Sequence, residues 1–192
     1  MALLPAIGET SRVQLRTLVF IRWIAIAGQV AALLVVHYGL GFDLPIVPTM
    51  AAVIASAFVN LAAQFSGRSG PISDKGAAGY LAFDIAQLAV LLFLTGGLGN
   101  PFAFLLLAPV AISATVLSLR STITLSALAL VAITVLSVKH MALPWRGPPP
   151  ELPTVYLLGV WTALAIGILF FAAYTWRVAR AARELSDGLF AT

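Results

Sequence analysis

"YLAFDIAQLAVLLFLTGGLGNPF", residues 80–102, is the stretch that decides the fold. It opens with a nearly unbroken apolar run that contains one acid, Asp84, and the run stops at glycines followed by asparagine and proline. A helix needs roughly 20 apolar residues to cross the hydrocarbon core of a bilayer. A run of this kind, closed by helix breakers, predicts a membrane-spanning helix that ends in a tight hairpin.

The rest of the chain repeats this pattern. Of its 192 residues, 61% are hydrophobic and only 9% are charged, whereas an ordinary soluble domain is about 25% charged. Five further apolar runs of similar length lie between breakers. We therefore predict an all-α integral membrane protein with six transmembrane helices. The predicted spans are 21–38, 45–65, 77–96, 102–119, 122–143 and 154–176.

The positive charges are distributed unevenly between the predicted loops. If the N-terminus is cytoplasmic, nine of the eleven Lys and Arg residues, Arg22 among them, lie on the inner side. The outer side keeps only Lys139 and Arg146. Because cytoplasmic loops are enriched in Lys and Arg, we expect both termini to be cytoplasmic. The basic balance then reflects topology and contact with inner-leaflet lipids, and it does not indicate a nucleic-acid partner.

The chain offers little for catalysis or metal binding. It contains no cysteine, which excludes disulfides and thiolate metal sites within these residues. His37 and His140 lie near outer helix ends without accompanying carboxylates, and we interpret them as interfacial polar residues. We predict no metal site and no catalytic residue, because the spans lack a convincing nucleophile–base pair. Any redox sensitivity must therefore come from a bound molecule.

Polar side chains recur on one face of each of two predicted spans. Asp84 and Gln87 are three residues apart on the third helix, and Asn60 and Gln64 are four apart on the second. One interpretation is interhelical hydrogen bonding, and the other is a coupling or protonation role.

A small transporter or channel with a polar path through Asp84, Gln87, Asn60 and Gln64 is the alternative function. The lack of an internal repeat argues against it. Measuring solute flux in proteoliposomes separates a transporter from a sensor.

The hairpin after the third helix can be explained by local structure alone. Gly96 and Gly97 end that helix, because glycine tolerates the left-handed backbone that is common at a helix C-terminus. Asn100 is a favoured N-cap for the next helix, and Pro101 suits its first position. Pro109, farther along the fourth span, is expected to kink it.

The same hairpin also offers the groups that a quinone needs. Glycines expose the backbone, Asn100 carries an amide, and Phe102 and Phe104 present rings beside lipid. These features provide hydrogen bonds for ring carbonyls and a flat apolar slot. Spacing by itself does not distinguish a quinone from a lipid or another small amphiphile.

The string Gly96-Gly97-Leu98-Gly99-Asn100-Pro101-Phe102 resembles a known heptapeptide, GGxxNPF. That motif lies in the short periplasmic loop between the third and fourth helices of RegB/PrrB-type redox sensor histidine kinases, where it is associated with ubiquinone sensing. The segment 80–102 looks like the third helix and loop of that family. The segment "ARAARELSDGLFAT", residues 179–192, looks like its exit toward the kinase.

The resemblance implies a membrane signal-input domain in the inner membrane of a bacterium. Residues 1–20 would be a cytoplasmic juxtamembrane segment, residues 21–176 the sensor domain, and residues 177–192 the start of a signalling helix. Ubiquinone would be the sensed ligand, beside membrane lipid. Its expected site residues are Gly96, Gly97, Asn100, Pro101, Phe102 and Phe104.

The resemblance also implies partners. No phosphoacceptor or ATP-binding region is among the 192 residues, so we expect no catalytic activity in them and contact with a response regulator only through a separate kinase core. A homodimer is expected, and after residue 176 apolar residues recur at a four-three-four spacing that is typical of a coiled coil. The seam positions are Val178, Ala182, Leu185 and Leu189, and the expected ion pairs are Arg180–Glu184 and Arg183–Asp187.

Overall fold

The computed structural model describes residues 13–66, 71–148 and 151–190, and it is helical apart from one short strand pair. The strands are β1 (Val13–Gln14) and β2 (Pro71–Ile72). The helices are α1 (Leu15–Leu34), α2 (Ile46–Phe65), α3 (Asp74–Leu94), α4 (Leu107–Val116), α5 (Leu119–Val138) and α6 (Thr154–Phe190). A π-helical turn, Val35–Gly39, extends α1, and two 3-10 segments, Gly97–Gly99 and Pro101–Leu106, precede α4. The predicted all-α membrane fold is confirmed.

The predicted fourth span is the one that differs most from the structure. Five of the described helices are long and apolar enough to cross a membrane, while Pro101–Val116 is a shorter apolar helix. Its first six residues are 3-10 and its last ten are α-helical. A 3-10 helix rises about 2.0 Å per residue, so the segment is about 27 Å long, close to the roughly 30 Å hydrocarbon thickness. The helix ends at Val116, before the predicted 119, because Leu117 turns to an extended conformation.

Other predicted span ends move by a few residues, and each shift has a local cause. Helix α1 begins at Leu15, inside the predicted juxtamembrane segment, directly after β1. Helix α3 begins at Asp74 because the Ser73 side chain caps it by accepting a bond from the Gly76 N–H. Helix α5 ends at Val138, and the following residues fold over the hairpin instead of continuing to residue 143.

Contacts between loops place the helix ends at two opposite ends of the bundle. At one end β1 pairs with β2, and the Asp74 carboxylate accepts bonds from the Ser118 and Ser121 hydroxyls and the Ser118 N–H. We call this the basic end, because Arg16, Lys75 and Arg120 lie in the first turns of α1, α3 and α5. At the other, the hairpin end, the Met141 N–H donates to the Phe93 carbonyl.

The main core is built from α3, α4, α5 and α6. Its fully buried apolar side chains come from all four helices and from the residues that flank α4, and the largest are Leu81, Ile85, Leu106, Val110, Leu117, Leu125, Ile133 and Ile168. Helices α1 and α2 join through two smaller apolar clusters that include Val19, Ile26 and Val53. Much of the remaining apolar surface faces outward, as lipid exposure requires. Two cavities that are lined in part by α1 are described next.

Candidate ligand site

The hairpin adopts the helix stop and start that the sequence predicts. Helix α3 ends at Leu94, and Gly96 and Gly97 take positive φ values of 109° and 59°. The Asn100 side-chain oxygen accepts a bond from the Phe102 N–H at 2.8 Å, and Pro101 occupies the first helical position. The predicted cap is therefore confirmed, although the helix that it starts is 3-10 rather than α.

The two glycines are required by packing as well as by backbone conformation. A Cβ on Gly97 would lie 2.5 Å from Cγ of His140, and one on Gly96 would lie 2.6 Å from Cδ1 of Leu143. The segment between α5 and α6 thus covers the glycines. Neither glycine lies in the wall of the cavities described below. Sequence reasoning placed both in the ligand site and treated His140 only as an interfacial residue.

The Asn100 amide is also engaged within the hairpin. Its Nδ2 donates to the Thr95 hydroxyl at 2.7 Å and to the Thr95 carbonyl at 3.2 Å. Both amide hydrogens are therefore used, and Thr95 in turn donates to the Leu91 carbonyl. Asn100 holds the end of α3 against the start of the 3-10 helix. Sequence reasoning identified the cap and missed Thr95.

Two neighbouring cavities open between α1 and the α3–α4 side of the bundle. The smaller, about 110 Å³, is lined in part by Asn100, Pro101 and Phe102. The larger, about 360 Å³, is lined in part by Phe102 and Phe104. Their walls share five residues: Gln29, Ala32, Leu88, Phe102 and Leu105. We call the two together the α1–α4 crevice. Four of the six predicted quinone-site residues line it.

An ion pair lies at the far end of the crevice from the hairpin. Arg22 and Asp84 both line the larger cavity, and Nη2 of Arg22 is 2.9 Å from Oδ1 of Asp84. The Arg22 Nε–H donates to both carboxylate oxygens, at 3.0 and 3.2 Å. Nη1 lies 3.5 Å from Oδ1 of Asn60, whose own amide donates to the Val19 carbonyl. The pair thus joins α1 to α3, with α2 in contact through Asn60.

Arg22 is the site residue that sequence reasoning missed. It was counted with the topological cations of the inner side, but its side chain is only 3% exposed. The guanidinium also lies over the rings of Tyr80 and Phe83, at 5.2 and 5.7 Å from their centres. The available signal was its position inside the first predicted span. A lone cation there and the lone acid Asp84 are natural partners.

The other predicted polar residues also contact α1. Gln87 and Gln29 exchange two hydrogen bonds through their amides, at 2.9 and 3.2 Å. Gln64 accepts a bond from the Trp23 indole N–H at 3.2 Å on an exposed face. The polar faces of α2 and α3 therefore meet through α1. Gln64 lies apart from the crevice, since it is in neither cavity wall.

Helix α4 lies between the crevice and α6. Ala108, Pro109 and Ile112 line the larger cavity, whereas Leu107 packs against α6, 3.2 Å from where a Cβ on Gly167 would be. Helix α6 then runs without interruption to Phe190, as predicted. Of its predicted ion pairs, Arg180–Glu184 is present at 2.8 Å. The side chains of Arg183, Asp187, Leu185 and Leu189 lie outside the described residues.

Comparison with known proteins places this arrangement in a family. The model of the PilS-like transmembrane domain matches residues 15–186. Two curated proteins named sensor histidine kinase RegB, both from Cereibacter sphaeroides, are 43% and 44% identical over 181 and 182 residues. The matches cover 93% and 94% of this chain but 39% of each relative, so the chain spans about two fifths of their length. No solved structure matches significantly.

The resemblance that the hairpin motif suggested is therefore confirmed over nearly the whole chain. The matched residues, 15–186, run from the start of α1 into the C-terminal part of α6. The chain belongs to the PilS-like transmembrane domain family and is similar to the membrane region of RegB sensor histidine kinases.

Proposed function

We propose that this chain is the signal-input domain of a sensor histidine kinase in the inner membrane of a bacterium. The observation that carries the proposal is the single helix α6, which runs from the bundle core at Ile168 to Phe190. A continuous helix of this length passes a displacement inside the bundle to its own C-terminal end. The surplus of Lys and Arg at the basic end favours a cytoplasmic location for that end, where a kinase core would lie.

The ligand that we propose is a quinone, with ubiquinone as the first choice, bound in the α1–α4 crevice. Phe102 and Phe104 offer ring faces, the remaining wall is largely aliphatic, and a few polar groups converge at one end. Phe104 lines the larger cavity and is 56% exposed, so an isoprenoid tail has a route past it out of the crevice. The redox state of the quinone pool is the signal.

Transmission through α4 follows from its position. A ligand against Ala108 and Pro109 bears on one side of α4, and the other side contacts α6 at Gly167 through Leu107. Occupancy biases signalling only if the ligand binds the two packing states with different free energies. The 3-10 segment before α4 is the adaptable part, since its hydrogen-bond geometry is poorer than that of an α-helix.

Binding of oxidised and reduced ubiquinone to the chain in nanodiscs tests the proposal. We expect saturable binding, with dissociation constants for the two redox forms that differ by about tenfold, which corresponds to about 1.4 kcal/mol. Isothermal titration under controlled redox potential measures both. Empty nanodiscs are the control for partition into lipid. Binding no greater than in empty nanodiscs would refute quinone sensing by this domain.

We also propose that two chains form a parallel homodimer through the predicted seam on α6. Val178 is 50% exposed and Ala182 is exposed, so this face of the helix is available within the described residues. Because the chain has no cysteine, single substitutions report cleanly on proximity.

Val178→Cys is expected to form an interchain disulfide rapidly under mild oxidation in nanodiscs. Arg180→Cys, about 200° around the helix, is the matched control and is expected to react several-fold more slowly. Its exposed ion pair with Glu184 contributes little stability, so its loss does not confuse the comparison. Equal rates for the two variants, measured on non-reducing gels, would contradict a dimer through this seam.

A further inference from the structure

Resting on the proposed function, we infer that the polar head group of the ligand binds in the larger cavity, against Gln29 and Arg22 of α1, and not at the glycine-rich hairpin. The hairpin then serves as one wall and as the structural closure of the crevice. The specificity-determining polar residues are Gln29 and Arg22 of the first helix, together with Asp84 of α3, the ion-pair partner of Arg22.

Most hydrogen-bond donors around Asn100 in the hairpin are already bonded within the protein. Both amide hydrogens of Asn100 are bonded to Thr95, and the Phe102 N–H is bonded to Asn100. The N–H groups of Gly99 and Asn100 bond to the Gly96 and Gly97 carbonyls. A carbonyl oxygen that bonds to the Asn100 amide or to any of these N–H groups would have to break an existing bond, which costs more than a new bond returns.

Helix α1, by contrast, has unbonded N–H donors on Gln29, where the two cavities meet, and on Arg22. Gln29 lies in both cavity walls, and its pairing with Gln87 uses one of its two amide hydrogens. Arg22 has five N–H groups in a fixed fork, which contact Asp84 and Asn60 and face the larger cavity. A bond from a buried guanidinium to a ligand oxygen is charge-assisted, and such bonds are roughly twice as strong as neutral ones.

The two cavities also differ in volume. Pockets for small organic ligands usually have volumes of about 300–1,000 Å³. The larger cavity, at about 360 Å³, falls in this range, whereas the smaller one beside Asn100, at about 110 Å³, does not. A substituted ring therefore fits beside Arg22 and Gln29, while the smaller cavity takes at most a substituent or part of the tail.

The ligand class follows from these walls. A flat, uncharged ring with carbonyl oxygens satisfies the free Gln29 N–H and the Arg22 fork without adding charge to a cavity that already contains a matched cation and anion. A reduced ring with hydroxyl groups instead donates, and Asp84 and the Gln29 side-chain oxygen are the acceptors in reach of the same space. The oxidised ring thus needs hydrogen-bond donors, from Gln29 and Arg22, whereas the reduced ring needs hydrogen-bond acceptors, from Gln29 and Asp84.

Gly28 provides a clean way to block this cavity. It lies in the cavity wall, and a Cβ at this position would have no atom within 4 Å, so a larger side chain occupies open space. Gly79 on α3 is the matched control: it also has open space around it and is not in either cavity wall. Replacing either helical glycine favours the helix, so neither change is expected to unfold the protein.

The test is titration of the chain in nanodiscs with a short-tailed ubiquinone. We expect Gly28→Leu and Gln29→Leu each to raise the dissociation constant of the oxidised form by about tenfold or more. Gly79→Leu should change it by less than about threefold, and Asn100→Ala should raise it by less than either α1 variant does, provided that thermal unfolding shows each variant to be folded.

The outcomes separate this inference from the proposed function. Wild-type binding that survives Gly28→Leu and Gln29→Leu but is lost in Asn100→Ala would overturn the head-group position and leave quinone sensing in place. Absence of specific binding to the wild-type chain would overturn both. If Gly28→Leu and Gln29→Leu both lose quinone binding while Gly79→Leu retains it, the result supports binding of the head group against α1.

Discussion

Replacing Asp84 with alanine is expected to lower the free energy of unfolding by about 3–5 kcal/mol. The change leaves the Arg22 guanidinium, 3% exposed, without its counter-ion inside the bundle. Asn60 is the remaining polar partner, at 3.5 Å, and a neutral amide at this distance compensates little for a buried cation. The loss reflects the unpaired charge more than the attraction between the two ions.

Chemical or thermal unfolding in a mild detergent measures the effect. The matched control is Asp43→Ala, which breaks the Arg146–Asp43 pair at the hairpin end, a pair of similar geometry at 3.1 Å whose side chains are 62% and 68% exposed. That exposed pair is expected to contribute less than about 1 kcal/mol. If the two substitutions cost the same, Arg22 is not buried as described.

A double variant separates the cost of an orphaned charge from the net contribution of the pair. In Arg22→Met with Asp84→Leu both charges are removed, and we expect most of the stability lost in Asp84→Ala to return, because two apolar side chains replace two desolvated ions. Ligand binding is not expected to return with it. Such a result would assign the pair to recognition and signalling rather than to folding.

Gly97→Ala is the second change with a large expected effect, a loss of about 3 kcal/mol in the free energy of unfolding. Two costs combine. Alanine at φ 59° pays about 1–2 kcal/mol for the left-handed conformation. Its Cβ would also lie 2.5 Å from Cγ and 2.8 Å from Cβ of His140, and relieving such overpacking typically costs about 1–3 kcal/mol.

A second-site substitution distinguishes the two costs. In a His140→Gly background the side chain that clashes is absent, so Gly97→Ala should cost only the conformational part, about 1–2 kcal/mol. Gly79→Ala, in an open position on α3, is the control and should be neutral or slightly stabilising. An equal loss with and without His140 would mean that the segment between α5 and α6 does not pack on the hairpin.

These two changes also bear on what the GGxxNPF motif does. Its first two glycines and its asparagine have structural roles in this chain: close packing under His140 and Leu143, and a bond network with Thr95. Phe102 is the motif residue that lines both cavities. Loss of function in motif variants therefore needs a stability measurement beside it before it is assigned to ligand contact.

The sequence by itself determined the membrane class, the positions of the spans and the local chemistry of the hairpin. Apolar runs of helical length are set by the bilayer, and the cap at Asn100 and the left-handed glycines depend on neighbours within a few residues. The continuation of α6 beyond residue 176 was readable for the same reason. Such signals act over one or two turns and need no knowledge of the packing.

Only the tertiary structure decided which of the predicted residues line the crevice, and only it added Arg22 and Gln29 to them. Arg22 and Asp84 are 62 residues apart, and although a lone cation and a lone acid inside the spans are natural partners, only the packing of α1 against α3 brings them together. The 3-10 start of the fourth helix and the covering of Gly97 by His140 likewise depend on distant segments. In a bilayer an apolar side chain is stable whether it faces lipid or the interior of the bundle. The hydrophobic pattern alone therefore cannot select the inward face of a helix, and the few buried polar contacts select it instead.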